Sequence, residues 1–531
     1  MRRISLWSLA ATAVVLMVVL PNLDILRYLF LPGSEVWSHI RKYLLGDYIS
    51  NTLLLTAGTL SVTLILGTFL AWLVSVYDFP GRRALSILLI LPLAVPPYIL
   101  AYTYSGILGY TGFLQVFLRN RMGIVVDQGY FSIMNLPGAI FIFSLTLYPY
   151  VYLIARAAFR RTSGHLAESA RLLGSRGGEL LFRVLLPLAV PSLVAAATVV
   201  ALEVISDYGV VSYFGIQVFS TAIFRTWISF GDIGSALKLS AWLLLFVILI
   251  HGSQMLTRRR EILYGGSARP VPFRRIRLNR KWSAVALSAS GLILFIALIL
   301  PLGQMVAWSI FSAGKISLGN LGISVWNTFW LSAVSASAAL AMAIVLAAFQ
   351  RVSGGRLSRI FSRVAVIGYA IPGTVVGLTV LLFFLDMDSL LGTSFRGGIL
   401  VLIYAYVLRF LAVSHGNVQS GFTQAGIRHH EASRLLGRGP LQTLLRVDLP
   451  MIRQFLLSGF ILTFVDMVKE LPMVLILRPF NFSTLSTRVF EYAHDEMIPE
   501  SALFSLTIVL VSFVAVYLLQ RTHGEPEGEM E

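Results

Sequence analysis

The sequence contains no cysteine. That excludes a disulfide framework, thiolate metal sites and iron–sulfur ligation, and it leaves the redox compartment open. A phosphate-binding loop is also missing. No G-x-x-x-x-G-K-[ST] occurs, and the sole Gly-Lys pair, Gly314-Lys315, is followed by Ile316. The chain therefore binds no ATP by that device, and any ATP that drives it sits on a partner subunit. Charge is scarce, at 13% of residues. No nucleophile–base pair or metal box stands out, so the chain is read as a non-enzyme with no cofactor of its own and no stable metal site.

What fills the sequence is apolar. Hydrophobic residues make up 57% of the 531, above the 45–50% or so of soluble domains. Runs long enough to cross a bilayer as helices recur throughout. The reading is an all-α polytopic membrane protein with about twelve spans, at 5–24, 49–77, 84–110, 137–155, 188–208, 235–255, 282–308, 324–349, 363–385, 397–414, 453–476 and 500–520. The first run follows Arg2 and Arg3, as in a signal peptide. No small-x-small cleavage site follows closely, and further spans come behind it, so it is read as a span.

The net charge of +17 is read as the positive-inside bias of a membrane protein, not as a nucleic-acid footprint. With a cytoplasmic N-terminus, most Lys and Arg fall inside, nine of them in residues 256–281. Both termini are then cytoplasmic. The basic stretch 257–281 reads as a linker between two halves, 1–256 and 282–521, with a tail at 522–531. The halves repeat. Asn51-Thr52 matches Asn327-Thr328, and Ala94-Val95-Pro96 matches Ala370-Ile371-Pro372, at an offset of 276. Further on, Phe219-Ser220-Thr221 matches Phe482-Ser483-Thr484 and Arg225 matches Arg488, at 263. This is a tandem duplication in parallel orientation.

One polar passage occurs in both halves. ESARLLGSRGGELLFRVLLP from Glu168 and EASRLLGRGPLQTLLRVDLP from Glu431 agree at ten of twenty positions without a gap. Leu172-Leu173 and Leu435-Leu436 supply an apolar face. Gly174 and Gly437 stand where a helix would end in a left-handed cap. A second apolar-periodic stretch stops at Pro187 or Pro450, and a span begins. An interfacial connector is the plain explanation; two copies at equivalent points argue for paired docking.

The passage resembles the EAA loop of the membrane subunits of binding-protein-dependent ABC importers: Glu-Ala-Ala, three residues, Gly, nine residues, then Ile-x-Leu-Pro. Here the triplets are Glu168-Ser169-Ala170 and Glu431-Ala432-Ser433, and the Ile is Val184 or Val447. One Ala of each triplet is Ser, a mild departure. Fused permeases with two such loops are similar to the ferric-iron branch, with relatives for thiamine, polyamines and phosphonates. The run KELPMVLILRPFNFSTLSTRVFEYAHDE from Lys469 is similar to the matching region of ferric-iron permeases. The resemblance implies a type I importer-like fold of two six-helix halves in the bacterial inner membrane. It implies two copies of an ABC ATPase, one at each loop (about 165–187 and 428–450), and a periplasmic substrate-binding protein. The shared positions Glu168, Ala170, Gly174, Arg183 and Pro187, with Glu431, Ala432, Gly437, Arg446 and Pro450, are the coupling candidates.

Carboxylates within spans are costly and so informative. Glu203 and Asp207 correspond to Asp466 and Glu470 at offset 263. Each pair is spaced i,i+4, about 24–30 Å along a helix from its proline. They are expected near the outer end, facing a vestibule and guiding a hard cation without chelating it. Otherwise they mark helix ends, or pair with Lys469, Arg225 or Arg488. His429-His430-Glu431 is read as a solvated face, and Glu491–Glu496 as an outer polar loop. Prolines 92, 96, 97 and 372 are expected to kink spans three and nine. The function that follows is the translocation subunit of an ATP-driven importer for ferric iron. The rivals are a secondary transporter and a non-transporting scaffold.

Overall fold

The computed structural model describes residues 6–124, 127–161, 169–170, 172–173, 175, 177–264, 275–353 and 355–522. The first half contains α1 (Leu6–Tyr28), α2 (Glu35–Val76), α3 (Arg82–Leu88), α4 (Pro97–Leu108), α5 (Leu136–Arg161), α6 (Gly178–Ser206), α7 (Gly209–Tyr213), α8 (Phe219–Ile228) and α9 (Ile233–Tyr264). The second contains α10 (Arg280–Ser312), α11 (Leu318–Ser353), α12 (Arg356–Ala370), α13 (Gly373–Leu391), α14 (Ile399–Ala425), α15 (Arg428–Leu435), α16 (Arg453–Lys469), α17 (Pro472–Leu477), α18 (Leu485–His494) and α19 (Ile498–Thr522).

Among the described residues, nine helices are long and apolar enough to cross a membrane, and two bent pairs pass the same test. A shorter apolar helix, Trp7–Asn22, stands at the first expected span. The long helices carry apolar residues all round, because lipid or protein covers every face and each backbone bond closes within the helix. Where two helices approach closely, small residues intervene. A Cβ on Gly67 of α2 would lie 2.6 Å from Val151 of α5. Buried Thr52, Thr56 and Thr63 of the same helix turn their hydroxyls back to carbonyls four residues earlier, at 2.6–2.8 Å.

Spans three and nine are broken rather than kinked. Val95 and Ile371 leave the helix in extended conformation, and Pro96 and Pro372 then cap α4 and α13 at φ/ψ of −57°/140° and −56°/144°. The residue before a proline disfavours helix, so each Val/Ile-Pro step ends one helix and starts another. In span three the two parts meet at 91°. Span eleven likewise ends early, at Lys469. The linker is shorter than its composition suggests, since α9 continues to Tyr264. Its far end pairs Ile276–Arg277 in parallel with Tyr77–Asp78, just after α2.

The repeat holds, with one change of register. Asn51 and Asn327 each donate a side-chain hydrogen bond of 3.0 Å, to the carbonyls of Gln217 and Ser483. The Thr52 and Thr328 hydroxyls accept from the N–H of Phe219 and Leu485, at 3.4 and 2.8 Å. These partners are displaced by 266 residues, not 263. α17 is one residue longer than α7, and the segment after it is two residues longer than that between α7 and α8, which together make the shift of three. The match of Phe219-Ser220-Thr221 with Phe482-Ser483-Thr484 is therefore out of register. In space Thr221 answers to Thr487, each accepting from the N-cap N–H of its helix, at 3.0 and 2.9 Å. Phe224 answers to Phe490, and Arg225 to Glu491 rather than Arg488.

The halves are sequential along the chain but exchanged in space. α1 packs on α11, α12 and α13 of the second half as well as on α9. α10 packs on α4 of the first half as well as on α19. Tyr404 donates to the Met17 carbonyl at 2.5 Å, and Tyr104 to the Ile296 carbonyl at 2.6 Å. Gly106 admits the Trp308 ring, which a Cβ there would meet at 2.5 Å.

Candidate functional site

The four acids expected along the path line a single cavity of about 130 Å³. They stand at the C-terminal ends of α6 and α16, with Glu203 and Asp466 in the last turn of each. The i,i+4 spacing places them on one face only up to the helix terminus. α6 stops at Ser206 and α16 at Lys469, so Asp207 and Glu470 lie in extended backbone just beyond. There each caps the short helix that follows: Asp207 accepts from the N–H of Val210 at 2.9 Å, and Glu470 from that of Met473 at 3.2 Å. The chain then folds back into the bundle through α7–α8 and α17–α18, whose Phe219, Leu485 and Val489 are fully buried. The remaining walls are the middle of α5 (Thr146 to Tyr150), the middle of α14 (Arg409, Phe410) and the two helix breaks. The acids therefore sit midway along the bundle.

Their partners differ between halves. Glu470 receives both bonds of Arg409 Nη1, at 3.0 Å each. Arg409 was not anticipated, yet a lone Arg within ILVLIYAYVLRFLAV carried the same signal of cost as the acids. Gly373 makes the pairing possible, because a Cβ there would lie 1.9 Å from Arg409 Nη1. Glu203 accepts from the Tyr369 hydroxyl at 3.1 Å. Lys469 reaches across to the Leu93 carbonyl of the first half at 3.0 Å. Neither Arg225 nor Arg488 lines this cavity; Arg488 meets Glu491 at 3.2 Å, as Arg478 does at 2.7 Å. Four carboxylates against two cations leave the chamber formally negative. Tyr98 and Tyr150 also face it, and the buried Tyr98 hydroxyl has no hydrogen-bond partner among the described residues. Among the described residues no three His, Cys, Asp or Glu side chains gather closely enough to hold a metal ion. The arrangement attracts a cation and offers it oxygen ligands one or two at a time.

At one end of the bundle lie the two EAA-type passages. In the second copy α15 ends on Gly437 at φ +82°, the left-handed cap expected from its sequence. Glu431, Ala432, Gly437, Arg446 and Pro450 are exposed. In the first copy Arg183 and Pro187 are exposed and Ala170 is half-buried; Glu168 and Gly174 lie outside the described residues. Arg183 pairs with Glu179 at 2.5 Å. Pro187 does not end a helix, since α6 runs through it. Pro450 stands just before a 78° bend at Ile452. Leu172, Leu173, Leu435 and Leu436 project with 82–90% of their surface free. His430 departs from the solvated reading. It is buried and bonds Asp448 at 2.7 Å, while Arg351 of α11 approaches the other Asp448 oxygen at 3.5 Å.

The family model described as "binding-protein-dependent transport system inner membrane component" matches twice, at residues 63–261 and 339–524. The chain belongs to this family. As a whole the permease is similar to the Fe(3+)-transport system permease protein FbpB 2 of Haemophilus influenzae, 26% identical over 96% of this chain and 97% of that protein. The ferric transport system permease protein FbpB of Actinobacillus pleuropneumoniae is 22% identical over 84% of this chain and 68% of its own length. The molybdenum transport system permease protein ModB of Escherichia coli is 27% identical over 27% of this chain and 60% of its own. A multi-pass transport permease of the inner membrane is thus the identity that helices, repeat and relatives share.

Proposed function

We propose that this permease is the translocation subunit of an ATP-driven importer whose cargo is ferric iron. A periplasmic binding protein delivers the cargo, and two copies of a separate ATPase drive the cycle. The observation that carries the cargo assignment is the chamber itself. Both halves contribute two carboxylates, their formal charge exceeds that of Arg409 and Lys469, and tyrosine hydroxyls stand among them. A hard trivalent cation prefers such oxygen donors, and the full-length likeness to a Fe(3+)-transport permease points the same way. An oxyanion, the cargo named for the molybdenum relative, would meet net repulsion there. The exposed leucine pairs, at matching places in both halves, support one ATPase per loop on the cytoplasmic face.

The test is uptake of radiolabelled ferric iron by cells carrying the whole system. Glu203→Gln, Asp207→Asn and Asp466→Asn are combined, and Glu470 is kept because Arg409 would lose its partner. Uptake should fall by about tenfold or more as the negative potential is lost, with the chain still inserted and ATPase still bound. Wild-type uptake in this triple variant would remove the chamber from the iron path.

A further inference from the structure

A second cavity, of about 320 Å³, lies between α7 and α8. Its exposed rim residues are Gly215 and Gln217 in the loop after α7, Arg225 and Ile228 in the C-terminal half of α8, and Ser229 just after it. One side chain, Tyr208, belongs to the lining of both this outer cavity and the acidic chamber. It directly follows Asp207, so it sits where the chain leaves α6. Its ring stacks on Phe224, with centroids 3.9 Å apart and planes 23° from parallel, and faces Phe490 at 6.0 Å. With the register at 266, Phe224 and Phe490 are equivalent residues of the two halves. The tyrosine is thus held between a symmetry-related aromatic pair, one from each half. Its own counterpart at offset 263 is Leu471, which is buried, so the plug comes from the first half alone.

We propose that Tyr208 is the gate between the outer cavity and the acidic chamber, and that Phe224 and Phe490 hold it shut. Three rings in contact leave no passage for a hydrated ion, and aromatic packing of this kind adds only modestly to burial. That is weak enough to open when α8 and α18 part. Because the clamp takes one ring from each half, a relative movement of the halves releases it. Once open, the ring faces offer a passing cation favourable quadrupole contacts, and Asp207 lies one residue further in. Tyr208 acts on the permeating ion by admission, and the proposal rests on the transport reading above.

The lack of native cysteine permits a direct test. Ser206→Cys puts one thiol in the wall of the acidic chamber, at a position 8% exposed. The full chain in its native membrane is treated with a membrane-impermeant cationic methanethiosulfonate, in spheroplasts and in inverted vesicles. With Tyr208 present, modification should be slow from the gated side. Adding Tyr208→Ala should accelerate it by about tenfold or more from that side only, because a closed gate holds its open state to a minor population of about 0.1–10%. Phe490→Leu should accelerate it to a lesser degree, and Tyr208→Phe, which keeps the ring, should restore slow modification. Phe224→Leu provides an independent variant if Tyr208→Ala fails to insert. Rates unchanged from both sides in the Tyr208→Ala and Phe→Leu backgrounds would overturn the gate. One-sided acceleration with unaltered iron uptake in the carboxylate triple variant would keep the gate and remove the chamber behind it from the iron path.

Discussion

Arg409 and Glu470 show what a single residue costs in this bundle. Both are buried, and Gly373 is the void that admits the guanidinium. Replacing one partner leaves an uncompensated charge, which in buried pairs costs about 3–5 kcal/mol. Arg409→Met should therefore lower the yield of folded permease sharply. Arg409→Met with Glu470→Met should recover much of it, and Gly373→Ala should damage folding as Arg409→Met does. Thermal stability in detergent, measured for the singles and the double, checks this. A double variant no better than Arg409→Met would mean that the charges do not act as a pair. The first half has Thr146, Asp207 and Pro97 at the matching positions. The chamber is therefore symmetric in its acids and asymmetric in its cations, a distinction that alignment of the acids alone conceals.

At the scale of the element, the two docking passages are built differently. The second is tied to α11 through Arg351 and Asp448 and braced by His430; Ser75, Leu185 and Ala167 stand at those places in the first half. Asp448→Ala should loosen the second passage alone. Hydrogen exchange across 428–448 should rise while that of 178–187 stays as it was, and an equal rise in both would refute the tie. Leu435→Asp with Leu436→Asp should change stability by no more than about 0.5 kcal/mol, since both side chains are exposed, and should abolish retention of the ATPase in a pull-down. Undiminished retention would move the dock elsewhere. Much of this element was legible from residues 431–437: the Glu, the exposed leucines and the glycine cap all follow from local pattern. His430 was not, because its partner Asp448 is eighteen residues away and a His-His-Glu string reads as polar. The spans were legible from hydropathy, and the breaks at Val95-Pro96 and Ile371-Pro372 were half-legible, proline marking the place but not the angle. The three-residue shift before α18 was invisible. Phe-Ser-Thr recurs by chance near the true site, and only the bonds of Thr52 and Thr328 reveal the register. The depth of the acids was missed for a related reason. Apolar residues after Asp207 and Glu470 look the same whether the chain leaves the bundle or folds back into it.

At the scale of the whole molecule, the exchange of first helices turns two sequence repeats into one body. Each half lacks a wall that the other provides, through α1 on α11–α13 and α10 on α4. A chain divided between Gly265 and Gly266 should give two fragments that are degraded when made singly and accumulate when made together. Either fragment alone, stable and monodisperse, would contradict the exchange. The arrangement also sets a schedule for biosynthesis. α1 leaves the ribosome before its partners, and although α9 follows it within the first half, the second-half helices it packs on begin at Leu318 and are complete only at Leu391. At about 5–20 residues per second of synthesis, α1 waits in the lipid for tens of seconds with the part of its face that meets the second half unmatched. An insertase or neighbouring helix that shelters it over that interval would govern how much functional permease a cell obtains, and translation speed between residues 28 and 391 becomes a determinant of yield.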